Sequence, residues 1–339
     1  MKKIAIIGAG RIFTKHFESI KLLKKKFNLV GVFDINPIRN KSSAKLCKLQ
    51  EFNNYNDLLR NTNPDIVSIL TESGNHLKLC KDIITKYNIK NFIIEKPLDT
   101  TIKKILKFEN FIKGKKINIF TVKQNRFNKA ILKAKDLIDK KLLGEIFMVS
   151  ASCKWRRDQK YYDQDNWRGK RNLDGGVLMN QAIHHIDLLI HLIGDVESVV
   201  GYGDTKFVKL QSENIAVANL RFKNGCLGSI EATTATAPTD YEGSITIMGS
   251  EGTIKIGGFA SNKIVYFSNS KKTKLNKKKY YTNINNVYGK GHLKFYEYVE
   301  LFLNRKIKKN QFDIENAIKS VKVVERIVSS FKSKKIENI

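Results

Sequence analysis

The N-terminal stretch KKIAIIGAGRIF limits what this chain can fold into more than any other. Residues 3–7 form a short apolar run, and Gly8-Ala9-Gly10-Arg11-Ile12-Phe13 follows at once. The first glycine permits a tight turn, and the second lets backbone approach a pyrophosphate. The third position is Phe13, so the pattern is GxGxxF, and helix and strand must pack less closely there. What surrounds the glycines adds weight: a helical period over 12–25, a second strand over 29–33, then Asp34. An acid about 20 residues beyond the glycines accepts the ribose 2′-hydroxyl, which favours NAD over NADP. Arg39 could favour NADP, but it follows Pro37 and falls in the next helix. An apolar run this short, leading into glycines, reads as a strand rather than a secretory signal.

The alternation continues. Strands are expected at 66–70, 91–94 and 117–122, with helices at 74–87 and 100–113 between them. This is the pattern of a doubly wound parallel sheet, which binds ligands at the carboxyl ends of its strands. Three such ends are polar: Thr71-Glu72-Ser73-Gly74-Asn75-His76, Glu95-Lys96-Pro97, and Lys123-Gln124-Asn125-Arg126. The cofactor edge is therefore expected at Gly8, Gly10, Arg11, Ile12, Asp34, Thr71, Ser73, His76, Glu95, Lys96 and Gln124. Lys96, held between a buried strand and a proline, can hydrogen-bond a reacting oxygen and share its proton. The bland alternative is one more surface lysine in a lysine-rich chain.

After a linking helix at 128–143 the pattern changes. Strands are expected at 146–154, 198–202, 214–222, 226–234, 244–248, 253–256 and 263–267, with an Asn224-Gly225 hairpin turn and closing helices at 292–303 and 313–331. The predicted architecture is an α/β Rossmann doubly wound parallel sheet (1–123), then an α+β domain with an open, mostly antiparallel sheet (124–339). A sheet with one uncovered face predicts a homo-oligomer.

Residues 167–194 read as a loop, a glycine pair and one amphipathic helix, with Asp174 as N-cap and Gly194 as stop. Met179, Ala182, Ile183, Ile186, Leu189, Ile190 and Ile193 form the apolar face. Asn180, His184, Asp187 and His191 form a polar stripe beside it. His184 lies in the stripe, whereas His185 points a quarter-turn or more away. A histidine between an amide and a carboxylate has a fixed tautomer, which suits a general base. A solvated helix flank and a weak metal site from His184, Asp187 and His191 are the alternatives; no second ligand cluster supports a metal.

Composition excludes some classes. The net charge of +30 invites a nucleic-acid reading. The lysines are scattered through nearly every segment, however, with no aromatic-basic platform, so no nucleic-acid partner is expected; the field would still concentrate an anionic substrate. Cys47, Cys80, Cys153 and Cys226 are far apart and make no CxxC, which fits a reducing compartment. No apolar run reaches the roughly 18 residues of a membrane span.

Together GxGxxF, Glu95-Lys96-Pro97, Asn125-Arg126-Phe127, and Gly175-Gly176 followed by Asn180-x-x-x-His184-x-x-Asp187 resemble the Gfo/Idh/MocA family of NAD(P)-dependent sugar oxidoreductases, over essentially the whole chain. The resemblance implies that Lys96 and His184 are the family's lysine and histidine, leaving open which is the immediate base. The family often has Asp where Asn180 stands. An amide cannot raise the histidine's pKa, which puts more weight on Asp187. The run 156–189 is similar to the UDP-N-acetyl-2-amino-2-deoxyglucuronate 3-dehydrogenases of surface-polysaccharide synthesis. That similarity implies an enzyme that uses NAD to oxidise the C3′ hydroxyl of a UDP-linked amino-uronic acid, with an aminotransferase downstream; the wider family implies a dimer or tetramer, the cysteine usage a cytoplasmic protein, and no metal is expected. Arg126, Arg156, Arg157, Tyr161, Tyr162 and Asn180 are then candidate substrate contacts, and Trp167 and Arg168 candidate cofactor contacts. Rival readings are another sugar or inositol dehydrogenase of the family, and a non-catalytic NAD-dependent sensor.

Overall fold

A computed structural model describes residues 1–284 and 286–339. The chain runs β1 (Lys2–Ile7), α1 (Phe13–Leu22), β2 (Phe27–Phe33), α2 (Pro37–Cys47), α3 (Tyr55–Thr62), β3 (Ile66–Ile69), α4 (His76–Lys86), β4 (Asn91–Ile94), α5 (Ile102–Ile112) and β5 (Asn118–Thr121). It continues through α6 (Lys129–Asp139), β6 (Ile146–Lys154), α7 (Gln159–Asp163), α8 (Ile183–Ile193), β7 (Val196–Asp204), β8 (Ile215–Phe222) and β9 (Leu227–Thr233). The remainder is β10 (Glu242–Gly249), β11 (Gly252–Gly257), β12 (Lys263–Asn269), α9 (Gly291–Leu303), α10 (Ile314–Ser333) and β13 (Glu337–Asn338).

Two compact units result. The first comprises residues 1–122 and 292–318. Its five-stranded sheet has the order β2-β1-β3-β4-β5, and every pairing is parallel. The central strands are buried on both faces, as helices on either side require; Ile4, Ile6, Ile66, Val67, Ile93 and Ile94 are fully enclosed. The return of 292–318 to this unit was not visible in the linear pattern. Phe295, Tyr296 and Val299 of α9 are fully buried, Phe302 packs edge-on against Phe120, and the Phe312 carbonyl accepts the Thr121 N–H at 2.7 Å. Two short helices start on asparagine caps: Asn36 accepts the Arg39 N–H, and Asn54 accepts the Asp57 N–H. Of these, α3 has no counterpart in the elements expected from the sequence.

The second unit comprises 123–291 and 319–339. Its eight-stranded sheet has the order β12-β11-β10-β6-β9-β8-β7-β13. All pairings are antiparallel except β6 with β9. One face alternates inward through Val149, Ala151, Cys153, Ala216, Ala218, Leu220, Ile245 and Ile247, and α8 covers part of it. The opposite face carries Met148, Val217 and Leu227, each about half exposed.

Candidate active site

In the first unit, Gly8 closes β1 at φ +102°, and a Cβ there would lie 2.6 Å from the Leu70 carbonyl carbon, so only glycine fits. An added Cβ at Gly10 would meet nothing within 4 Å, which leaves room over the turn for a pyrophosphate. Arg11 is exposed and Ile12 half-buried beside it. The Asp34 carboxylate ties this turn down, accepting the Ala9 N–H at 2.6 Å and the Asn36 N–H at 2.8 Å. Arg39, in α2 as expected, donates Nε–H to Asp34 at 3.3 Å and so is turned onto the acid. Thr71 lies against Gly8 at the end of β3, with its buried hydroxyl unpartnered among the described residues, while Ser73 is buried close by. Open space at Gly10, a carboxylate at the β2 end and an orphaned hydroxyl fit a dinucleotide.

Two residues expected at the cofactor are spent elsewhere. His76 is fully buried; Nδ1 meets the Pro97 carbonyl at 2.8 Å and Nε2 meets the Thr71 carbonyl at 3.0 Å. It therefore staples the Lys96–Pro97 turn, whose peptide bond is cis, to the end of β3. Glu95 turns inward to His16 at 2.9 Å. Burial alone would raise its carboxyl, but the hydrogen bond from His16 and the nearby His292 ring hold it well below the usual carboxylate range. Lys96, the next residue, is half-buried.

In the second unit, the helix that carries His184 departs from the regular wheel. Leu178–Ala182 is a π-turn, and the α-helix proper begins at Ile183. Such wide turns concentrate at functional sites. Gly194, at φ +122°, ends the helix as expected. Asp174 does not cap it: the carboxylate accepts the Gly169 N–H at 2.7 Å and the Asn180 side-chain amide. The N-terminus is held instead by Glu213, whose carbonyl accepts the Val177 N–H at 2.9 Å and whose carboxyl accepts the Leu178 N–H at 3.4 Å. No local pattern points to Glu213, because it arrives from a distant loop.

The two histidines separate as the wheel requires. His184 is half-buried, while His185 is 1% exposed and packs edge-on against Trp155 at 5.8 Å. Burial lowers the His185 pKa to about 4. His191 is also lowered to about 4, by burial first and then by Arg126. Asp187 is engaged by two cations. Its carboxylate receives Nε–H and Nη2–H of Arg126, both at 2.7 Å, and the Lys123 ammonium. These two cations hold Asp187 well below the usual carboxylate range against the effect of burial. Arg126, expected on the substrate, is thus committed to a buried ion cluster. Gln124 is buried, with its side-chain oxygen unpartnered among the described residues.

The aromatic-basic stretch before the helix is mostly self-engaged. Tyr162 is buried and bonds Thr234 through its hydroxyl at 2.9 Å. The Tyr161 hydroxyl accepts Arg168 Nη1–H at 2.7 Å, and the Arg168 guanidinium stacks on Tyr161 and Trp167. Arg157 is buried and pairs with Asp240 at 3.0 Å. Arg156 is exposed and Trp167 half-exposed. Packing thus claims the tyrosines, Arg157 and Arg168, whereas Arg156 and Trp167 keep surface for a ligand.

Burial raises the Glu213 carboxyl to about 7. The unfolded chain ionises this group at its ordinary lower pH, so Glu213 stabilises the fold below that range and the contribution is lost as pH rises towards 7. Glu213→Gln should therefore gain about 2–3 kcal/mol relative to the parent between pH 5 and pH 8. Urea midpoints at both pH values check this; parallel pH dependence in the two proteins would refute it.

Comparison with known proteins decides the family. Residues 2–122 match the model described as "Oxidoreductase family, NAD-binding Rossmann fold", and residues 135–338 match "Oxidoreductase family, C-terminal alpha/beta domain". The chain belongs to the Gfo/Idh/MocA oxidoreductase family. The cofactor of this Gfo/Idh/MocA protein is NAD. Among solved structures, the WlbA dehydrogenase of Bordetella pertussis, in complex with NADH and UDP-GlcNAcA, is 31% identical. The match covers 100% of this chain and 97% of that one at a TM-score of 0.93. The WlbA dehydrogenase of Chromobacterium violaceum, with the same two ligands, is 30% identical and covers 100% and 96% at a TM-score of 0.90. Among curated sequences, the myo-inositol 2-dehydrogenase of Thermotoga maritima is 27% identical over 77% of this chain and 75% of its own length. No helix among the described residues is long and apolar enough to cross a membrane.

Proposed function

We propose that this family member oxidises the C3′ hydroxyl of UDP-N-acetylglucosaminuronate to a ketone, in the synthesis of a bacterial surface polysaccharide. The observation that carries the reading is the full-length likeness, at about 30% identity, to two structures that hold NADH and UDP-GlcNAcA. A net charge of +30 suits a substrate with a diphosphate and a carboxylate. NAD, when bound, supplies the hydride acceptor; Gly8, Gly10, Arg11, Ile12, Asp34, Thr71, Ser73, Gln124 and Trp167 are the residues proposed to hold it.

The protein's own groups manage the proton. His184 takes it from the C3′ oxygen, and Lys96 hydrogen-bonds that oxygen and stabilises the negative charge that develops there. Asn180, fixed by Asp174, presents an amide one turn before His184. Arg156 offers its guanidinium to the substrate's anionic groups. The ketone then needs an aminotransferase, and four free cysteines accord with a cytoplasmic setting. The uncovered sheet face, with Met148, Val217 and Leu227 exposed, is the proposed interface of a homo-oligomer.

The likeness to an inositol dehydrogenase favours a second reading, a free sugar or inositol as substrate. A single-turnover measurement separates the two. Stoichiometric enzyme and NAD are mixed with UDP-N-acetylglucosaminuronate, UDP-glucuronate, UDP-N-acetylglucosamine or myo-inositol, and NADH absorbance is followed. The expected result is a rise with the first alone. A rise with inositol alone would keep the chemistry and discard the nucleotide sugar.

A further inference from the structure

Behind the Lys96 turn, inside the first unit, runs a chain of buried polar side chains with no part in the reaction described above. Glu95 is the last residue on the sheet ladder, its N–H bonded to the Ile69 carbonyl at 3.0 Å. Lys96 is the first residue off the ladder, and its N–H is received by Glu95 Oε2 at 3.1 Å. The other carboxylate oxygen meets His16 Nε2 at 2.9 Å. His16 Nδ1 meets the Tyr296 hydroxyl at 2.8 Å, and that hydroxyl meets Ser68 Oγ at 3.1 Å. Glu95, His16, Tyr296 and Ser68 are all buried and come from the β4 end, α1, α9 and β3.

An ionised carboxylate only accepts, so His16 Nε2 donates to Glu95. In the neutral imidazole Nδ1 then accepts from Tyr296, whose oxygen accepts from Ser68. Burial pushes the Tyr296 phenol well up, so it keeps its proton. In that tautomer three hydrogen bonds point one way, towards a single negative charge. On the far side His292 Nε2 stands 3.7 Å from Glu95 Oε1, and neither ring nitrogen has a hydrogen-bond partner among the described residues. Burial and the nearby His16 lower its pKa, with Glu95 opposing. The ionisable groups facing Glu95 are thus His16 from α1 and His292 and Tyr296 from α9, with Lys15 of α1 bearing on His292.

His16, Glu95 and His292 bring metal-capable atoms within 4.8 Å of one another. The hydrogen bonds argue for a different use. His16 is engaged at both nitrogens, and one Glu95 oxygen is committed to the backbone of the next residue.

We infer that Glu95 is a positioning residue for Lys96: its carboxylate, held by the Ser68–Tyr296–His16 chain, clamps the Lys96 backbone amide and keeps a fixed negative charge one residue away. The inference rests on the reading that Lys96 acts in the reaction. The clamp replaces the ladder acceptor that Lys96 loses where β4 ends, and the charge favours the ammonium form that stabilises the developing alkoxide.

Two readouts test this on the full chain. The first is the rate of Lys96 acetylation against pH, followed by peptide mass spectrometry, with exposed Lys308 as internal reference. Glu95→Gln, which keeps the shape and removes the charge, should lower the Lys96 midpoint by about one pH unit. Tyr296→Phe, which keeps the ring, should lower it less, and Lys308 should not move. The second is single-turnover hydride transfer with UDP-N-acetylglucosaminuronate, expected to fall about 10-fold or more in Glu95→Gln, with NAD affinity within about two-fold of the parent. An unmoved Lys96 midpoint in both variants would overturn the inference, as would a stoichiometric metal found in the purified protein by elemental analysis. Full hydride transfer in Lys96→Met is a separate failure. It would remove Lys96 from the chemistry whatever its titration shows.

Discussion

His184→Ala should slow hydride transfer by about 10²–10⁴-fold, the usual worth of a positioned acid–base group, while NAD affinity and the unfolding midpoint stay near those of the parent. His185→Ala should do the reverse. Its ring is fully buried against Trp155, so truncation opens a cavity and should cost about 2–4 kcal/mol, with hydride transfer falling less than about five-fold. Neighbouring residues thus give opposite signatures, one in rate and one in stability. A severe rate loss in His185→Ala alone would show that the register of the helix is wrong. A pH signature accompanies the pair. Folded His185 refuses a proton down to about pH 4, whereas the unfolded chain takes one up near the ordinary histidine value. Its contribution to stability is therefore complete at neutral pH and is lost as pH falls towards 4. His185→Phe, which keeps a ring and removes the titration, should flatten that acid limb.

Asp187→Ala should destabilise the second unit by about 3–5 kcal/mol, because it leaves Lys123 and Arg126 buried side by side without their carboxylate. The side chains of all three are less than 10% exposed, so solvent cannot take over the role of the missing acid. Asp187→Asn should cost less, since the amide oxygen still accepts one hydrogen bond. Replacing the whole cluster by Leu and Met should recover most of the loss, because the penalty lies in uncompensated charge. Urea midpoints of the three variants provide the check. A parent-like midpoint in Asp187→Ala would mean that the cluster opens to water.

Much of both units was legible because a strand buried on both faces, a strand buried on one and a helix leave different periods in the sequence. Asn91–Ile94 and Ile146–Lys154 match their expected bounds, and the glycine turn and Asp34 stand where the motif puts them. What the wheel missed has a physical reason. It assumes 3.6 residues per turn, and Leu178–Ala182 is wound wider; the Asn180 amide is fixed by Asp174, the residue expected as the cap. Asp187, His76 and Glu95 each occupy the expected element. Their partners come from distant segments, and a linear pattern carries no signal for a partner. Glu213 shows this most clearly: it holds the helix N-terminus in place of the local Asp174.

The return of 292–318 to the first unit also bears on how the protein is made. A ribosome that has released residues 1–122 has released all five parallel strands, but not α9 with Phe295, Tyr296 and Val299, nor the Phe312 carbonyl that caps the edge of β5. The cofactor-binding unit therefore cannot close its core until nearly the whole polypeptide has emerged, and the eight-stranded unit likewise waits for residues 319–339, which carry its edge strand β13. A nonsense change anywhere before α9 would strip the N-terminal half of part of its interior, although every residue of its nucleotide-binding motif would still be translated.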